Sequence, residues 1–148
     1  DGDSVGHRLR TERAAEVDVT YVSKQELFEQ ADVLSVHLVL SERSRGMVDT
    51  EALDWMKPTA LLVNTARGPI VDEAALIKAL QKQRLAGAAL DVFEQEPLPA
   101  LHPLRTLENV LATPHVGYVS RQNYQQFFSQ MIEDIQAWSA GAPIRLLS

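Results

Sequence analysis

Cysteine is absent from the 148-residue chain, which excludes disulfides, thiol nucleophiles and Cys-ligated metal centres. A chain without disulfides fits a reducing compartment. No apolar run approaches the ~20 residues needed to cross a bilayer, and no signal-peptide pattern opens the sequence. The formal net charge is −6 with no block of Lys or Arg, so nucleic acid and anionic membranes are poor partners. Internal repeats and low-complexity segments are also missing. No G-x-G-x-x-G phosphate loop is present: Gly2 and Gly6 have the wrong spacing, and no strand precedes them. These absences leave the expectation of a soluble, cytoplasmic α/β domain, long enough for a real core and without a metal site.

The organising stretch is Leu61 to Pro97, LLVNTARGPIVDEAALIKALQKQRLAGAALDVFEQEP. An apolar run ends at Asn64 and passes straight into the polar turn Thr65-Ala66-Arg67-Gly68-Pro69. Asp72 can cap a helix whose Ala75, Leu76, Ala79 and Leu80 recur at helical spacing. A second small, apolar run, Ala86 to Leu90, ends at Asp91. Strand, loop, helix and strand in this order make the unit of a parallel sheet covered by helices. Ligands of such sheets sit beyond the carboxyl ends of the strands, so Arg67 and Asp91 are expected in one crevice.

Upstream, Thr11 to Glu16 reads as a helical turn and Val17 to Val22 as a short alternating strand. Ser23 and Glu26 form a capping box for a helix reaching Ala31. Val33 to Leu40, VLSVHLVL, predicts a strand buried on both faces with His37 inside it, either half-buried or touching a ligand. A polar loop, Ser41 to Gly46, follows, and Asp49 or Thr50 caps a helix over Glu51 to Met56. Residues 92–109 read as irregular and proline-rich, and Val110 to Ala112 as a last strand running into Thr113-Pro114-His115-Val116-Gly117. Ser120 caps a final helix with an apolar stripe of Tyr124, Phe127, Phe128, Met131, Ile132, Ile135 and Trp138, expected to pack on the sheet or on another domain; Gly141 stops it.

Three strand ends thus offer Arg67, then Asp91 with Glu94 and Glu96, then His115. An arginine fork binds a carboxylate bidentately. A histidine titrates near neutrality and transfers protons. A neighbouring carboxylate favours the charged ring and fixes its tautomer. The set suits a substrate with a carboxylate beside a carbonyl or hydroxyl, its hydride coming from a cofactor because no side chain supplies one.

NTARGPIVDEAALIKAL, AGAALDVFEQEP and TPHVGYVS resemble the signature segments of the D-isomer-specific 2-hydroxyacid dehydrogenases, as do SVHLVLSERSRG and MKPTALLVN. The similarity runs from about Leu9 to the C-terminus. It implies an α/β fold with a Rossmann-like, doubly wound parallel sheet and an oxidoreductase using NAD or NADP on a small 2-oxo or 2-hydroxy acid. By motif position, Arg67 would bind and polarise the 2-oxo acid, His115 would be the acid/base and Glu96 its partner, with Glu94 the rival by chemistry. Asp91 would hold the nicotinamide carboxamide, Thr65 and Ala66 would lie along the nicotinamide, and Gly117 would permit close approach. His37, Leu38, Val39 and Ser44 would border the adenine half; Val39 stands where the family commonly has proline.

The family's Gly-rich loop, the strand before it and the substrate domain have no counterpart in the sequence. Residues 1–148 are therefore expected to be one partial, incomplete dinucleotide-binding domain, with 1–8 an unalignable lead-in and 120–140 a long C-terminal helix. Asp1 and Asp3 lie in the unalignable part, while Arg8 and Arg10 read either as solvated helix-start residues or as facing a 2′-phosphate. The uncovered strand edge predicts a homodimer, a swap or a borrowed partner, and no catalysis by the chain alone. Two other readings are an interaction module of the C-terminal-binding corepressor type and a non-catalytic remnant.

Overall fold

A computed structural model of the chain describes residues 12–146. Gly2, Gly6, Asp1, Asp3, Arg8 and Arg10 lie outside the described residues. The element order is α1 (Lys24–Gln30), β1 (Val33–Val36), α2 (Thr50–Trp55), β2 (Leu61–Asn64), α3 (Glu73–Gln81), β3 (Gly87–Leu90), β4 (Val110–Ala112) and α4 (Arg121–Ser139). Three-residue 3-10 turns at Gly68–Ile70 and Pro103–Arg105 interrupt the loops after β2 and β3.

The helices begin where side chains satisfy the orphan amides of their first turns. Ser23 and Glu26 close the capping box on α1, Asp49 accepts from the Ala52 N–H, Asp72 from Ala75 and Ser120 from Asn123. Gly141, at φ +74°, ends α4 in a Schellman arrangement. The Ala142 N–H reaches the Ala137 carbonyl, and the Gly141 N–H reaches that of Trp138.

All four strands are parallel in the order β1-β2-β3-β4, a partial Rossmann-like α/β sheet. Strands that pair in sequence order, joined by right-handed crossovers, place their helices on one side. The sheet accordingly buries one face: Leu34, Val36, Leu62, Ala88 and Leu90 join Leu53, Ile70, Leu76 and Leu80 in the core. On the other face Val33, Leu61 and Leu111 are exposed.

This corrects two expectations and narrows a third. β1 stops at Val36 and alternates in burial instead of running buried to Leu40, so His37 lies just beyond it. Among the described residues β1 pairs with β2 alone, and β2 ends at Asn64, the residue paired with Val36. Residues 17–22 form no strand: the Val17 and Val19 amides both turn back to the Ala14 carbonyl, after a helical turn at 12–16. Of the two places expected for the stripe of α4, the sheet is excluded among the described residues: Tyr124, Phe128, Ile132, Ile135 and Trp138 are all exposed, which leaves another domain as the alternative.

Candidate active site

Asn64, 1% exposed, shapes the first loop at the carboxyl edge of the sheet. Its Nδ2 donates to the Arg67 carbonyl at 3.0 Å and its Oδ1 accepts from the Ala66 N–H at 3.0 Å. That clasp closes the Thr65–Arg67 turn, and Arg67 Nη1 folds back to the Ala66 carbonyl at 2.6 Å. Gly68 then runs against the second loop so closely that a Cβ there would lie 2.0 Å from the Phe93 carbonyl carbon.

The second loop carries two carboxylates with distinct partners. Glu96 Oε1 accepts from the Phe93 N–H at 3.0 Å, and Oε2 meets His115 Nδ1 at 2.7 Å. Glu94 faces elsewhere: its N–H donates to Glu73, and its carboxylate sits 3.9 Å from Arg45. Burial would raise the Glu96 carboxyl, but the hydrogen bonds from His115 and Phe93, aided by the charges of His115 and Arg67, outweigh it and hold it below its usual range. The Glu96–Pro97 peptide is cis.

Asp91 closes β3 and is 6% exposed. Oδ1 accepts from Thr113 Oγ1 at 2.5 Å and from the Val116 N–H at 2.9 Å, while Oδ2 accepts from the Gly117 N–H at 2.8 Å. Here too burial pushes the carboxyl up, and the three donors with the nearby His115 pull it below the ordinary aspartate value. The third loop, 113–117, thereby holds His115 at a backbone φ of +54°, with its ring edge-on to Tyr118.

Thr65, Arg67, Asp91, His115, Gly117 and Tyr118 line one open cleft of about 540 Å³. Residues more than twenty positions apart in the chain converge because the parallel strands all end on this edge. Nδ1 of His115 is spent on Glu96, which leaves Nε2 without a protein partner among the described residues.

Around the end of β1, His37 Nε2 bonds Ser35 Oγ at 2.8 Å, and Leu38 and Val39 are exposed. Ser44 is buried; its hydroxyl donates to the Val39 carbonyl at 2.7 Å and accepts from the Ser41 N–H at 2.8 Å. It shapes this loop from inside. Ala66 packs partly against the core. Asn64 and Thr113 escaped the reading of the sequence, which weighed charged and titratable side chains. Their signal was a polar residue at the last position of an apolar run or just after it.

The NAD-binding-domain model of the D-isomer specific 2-hydroxyacid dehydrogenases matches residues 4–117. The chain belongs to this family. Glyoxylate reductase of Korarchaeum cryptofilum is 44% identical over 126 residues, 85% of this chain and 38% of that protein. The crystal structure of a putative D-3-phosphoglycerate dehydrogenase from Ralstonia solanacearum superposes with a TM-score of 0.85 at 42% identity, over 92% of this chain and 40% of that one. D-lactate dehydrogenase with NAD+ from Lactobacillus jensenii gives 0.77 at 30% identity, over 88% and 43%. The chain thus spans about 40% of the length of these relatives. The matched family model is that of an NAD-binding domain, and solved neighbours carry NAD+ or NADPH.

Proposed function

We propose that this chain supplies the catalytic edge of a dehydrogenase that interconverts a small 2-oxo acid and its D-2-hydroxy acid. The observation that carries the proposal is that Arg67 and His115 line a single cleft, with Glu96 holding the Nδ1 side of the His115 ring from behind. The Arg67 fork binds the substrate carboxylate and polarises the adjacent carbonyl. His115 Nε2 donates its proton to the carbonyl oxygen as C2 is reduced, and takes it back in the reverse direction. Glu96 holds Nδ1, which fixes the ring's orientation and balances its charge when both nitrogens are protonated.

The residues present fit the nicotinamide end of the cofactor: a cleft floored by Gly117, the Thr65 hydroxyl beside it, and exposed apolar Leu38 and Val39 at the neighbouring strand end. Thr65, Ala66 and Asp91 take the nicotinamide and its carboxamide, with His37, Leu38, Val39 and the Ser44-braced loop toward the adenine half. When bound, NAD(P)H supplies the hydride that arrives at C2.

Turnover requires more chain than these residues, which we read as a partial dinucleotide-binding domain of a cytoplasmic protein. The test joins the chain to the portion of the K. cryptofilum glyoxylate reductase that it does not span. The chimera is expected to oxidise NAD(P)H with glyoxylate or a related 2-oxo acid, and Arg67→Ala or His115→Ala to lower kcat/KM at least ~100-fold. Activity that survives both substitutions overturns the assignment. The exposed apolar face of α4 and the edge position of β1 among the described residues support self-association, a homodimer; light scattering that returns a monomer mass refutes it.

A further inference from the structure

We propose that Asp91 and Thr113 are positioning residues that hold His115 in the orientation its acid/base role requires; the inference rests on that reading of His115. His115 adopts φ +54°, a left-handed conformation that residues with a Cβ disfavour, so the surrounding structure must impose it. The constraint is visible on both sides of the residue. Before it, the Thr113 N–H donates to the Leu90 carbonyl at 2.9 Å, and the Thr113 hydroxyl donates to Asp91 Oδ1 at 2.5 Å. After it, the Val116 and Gly117 amides donate to the same carboxylate. The His115 N–H closes the turn onto the Thr113 carbonyl at 3.0 Å.

One side chain therefore grips the loop at three points that bracket the histidine. Gly117 suits the grip: a Cβ there would lie 3.0 Å from Asp91 Oδ2, a tight contact to which the carboxylate would have to yield by a few tenths of an ångström. Asp91 is itself fixed: its N–H donates to the Asn64 carbonyl at 3.0 Å, in the residue that clasps the Arg67 turn. Asp91 thus ties the third loop to β3 through its carboxylate and to the Asn64 turn through its N–H, and most of the carboxylate's acceptor capacity is spent on protein donors before any ligand arrives. Thr113 reaches neither cofactor nor substrate in this scheme. It acts through Asp91 on the Glu96–His115 distance.

The test compares Thr113→Val, which keeps shape and removes the hydroxyl, with Thr113→Ser, which restores it, and with Asp91→Asn. In the chain itself, carbon-detected NMR follows the Glu96 carboxyl titration, and amide exchange follows Val116 and Gly117. With the hydroxyl gone, the Glu96 midpoint is expected to rise toward the ordinary carboxylate value as His115 drifts away, and the two amides to exchange about tenfold faster. Thr113→Ser is expected to match the wild type, and Asp91→Asn to exceed Thr113→Val. In the active chimera, Thr113→Val should lower kcat and shift its pH profile with KM for the dinucleotide unchanged. The proposal is overturned if Thr113→Val leaves both NMR readouts unmoved, or if its kinetic effect appears wholly in the KM for the dinucleotide. If instead the NMR readouts move while His115→Ala keeps activity, the grip stands and the role assigned to His115 fails.

Discussion

Gly68→Ala places a methyl group where the structure has backbone. The new Cβ would stand 2.0 Å from the Phe93 carbonyl carbon and oxygen and 2.6 Å from the Glu94 nitrogen. Carbon atoms in contact prefer about 3.5–4.0 Å, so the two segments must part by roughly 1.5 Å. Neither can yield cheaply. Gly68 is buried and opens the 3-10 turn, its carbonyl held by the Val71 N–H. Phe93 and Glu94 donate their amides to Glu96 and Glu73. Overpacking against fixed backbone lies at the upper end of the usual range, about 3 kcal/mol. At roughly 2–4 °C per kcal/mol for a chain of this size, the Tm should fall by about 6–12 °C in a calorimetric scan. Gly46→Ala is the control: Gly46 has φ +63° but no atom within 4 Å of a built Cβ, so it bears only left-handed strain, about 1–2 kcal/mol. Since Gly68 separates the Arg67 turn from the Glu96 loop, the same displacement should cost the chimera about 100-fold in kcat. A Gly68→Ala protein that melts within ~2 °C of the wild type, or above Gly46→Ala, refutes the argument.

Two further outcomes follow from the site and its flanks. Asp91 and Glu96 both have folded-state pKa values below their unfolded ones, so their stabilisation is present above the unfolded values, about 4, and is lost as pH falls through the folded ones; urea midpoints should drop below pH ~4, less steeply for Glu96→Gln, and parallel curves for the two proteins would contradict this. Ser120→Ala removes the acceptor of the Asn123 N–H and should cost about 1 kcal/mol; because α4 buries no residue, the loss should appear as faster amide exchange in its first turn with little change in Tm, and a cooperative Tm drop would show that the helix is packed after all.

Local chemistry made much of the molecule legible. The caps at Ser23, Asp72 and Ser120 and the Leu61–Leu90 unit follow from hydrogen-bonding capacity and apolar spacing within a few residues. Burial on a particular face is a different matter. Val33 to Leu40 is apolar enough for a two-sided strand, yet its exposure depends on which elements lie beside it, and residue composition carries no record of that. The α4 stripe is open for the same reason: an amphipathic face states that something can cover it, not whether that is the sheet or another domain. At the site, Arg67 and His115 stand out in the sequence as polar, chemistry-bearing side chains just after apolar runs, and the fold brings both to one cleft. The choice between Glu94 and Glu96, two positions apart with the same chemistry, depends on how the loop turns. Asn64 clasps its own turn two and three residues on, and Thr113 donates to an Asp91 carboxylate 22 positions away; a polar residue at the end of an apolar run marks both, but the partner of Thr113 is set by the fold.

The strand order has a temporal consequence. Among the described residues each strand pairs with the one made immediately before it, Val33 with Leu61, Leu61 with Gly87 and Ala88 with Val110, and none inserts between two earlier strands. The sheet can therefore grow by accretion as the polypeptide leaves the ribosome, each new strand finding its template already standing. The arginine, the carboxylate and the histidine of the site are delivered in the same sequence, Arg67, then Glu96, then His115. The imidazole emerges last, onto a seat that β2 and β3 have already built.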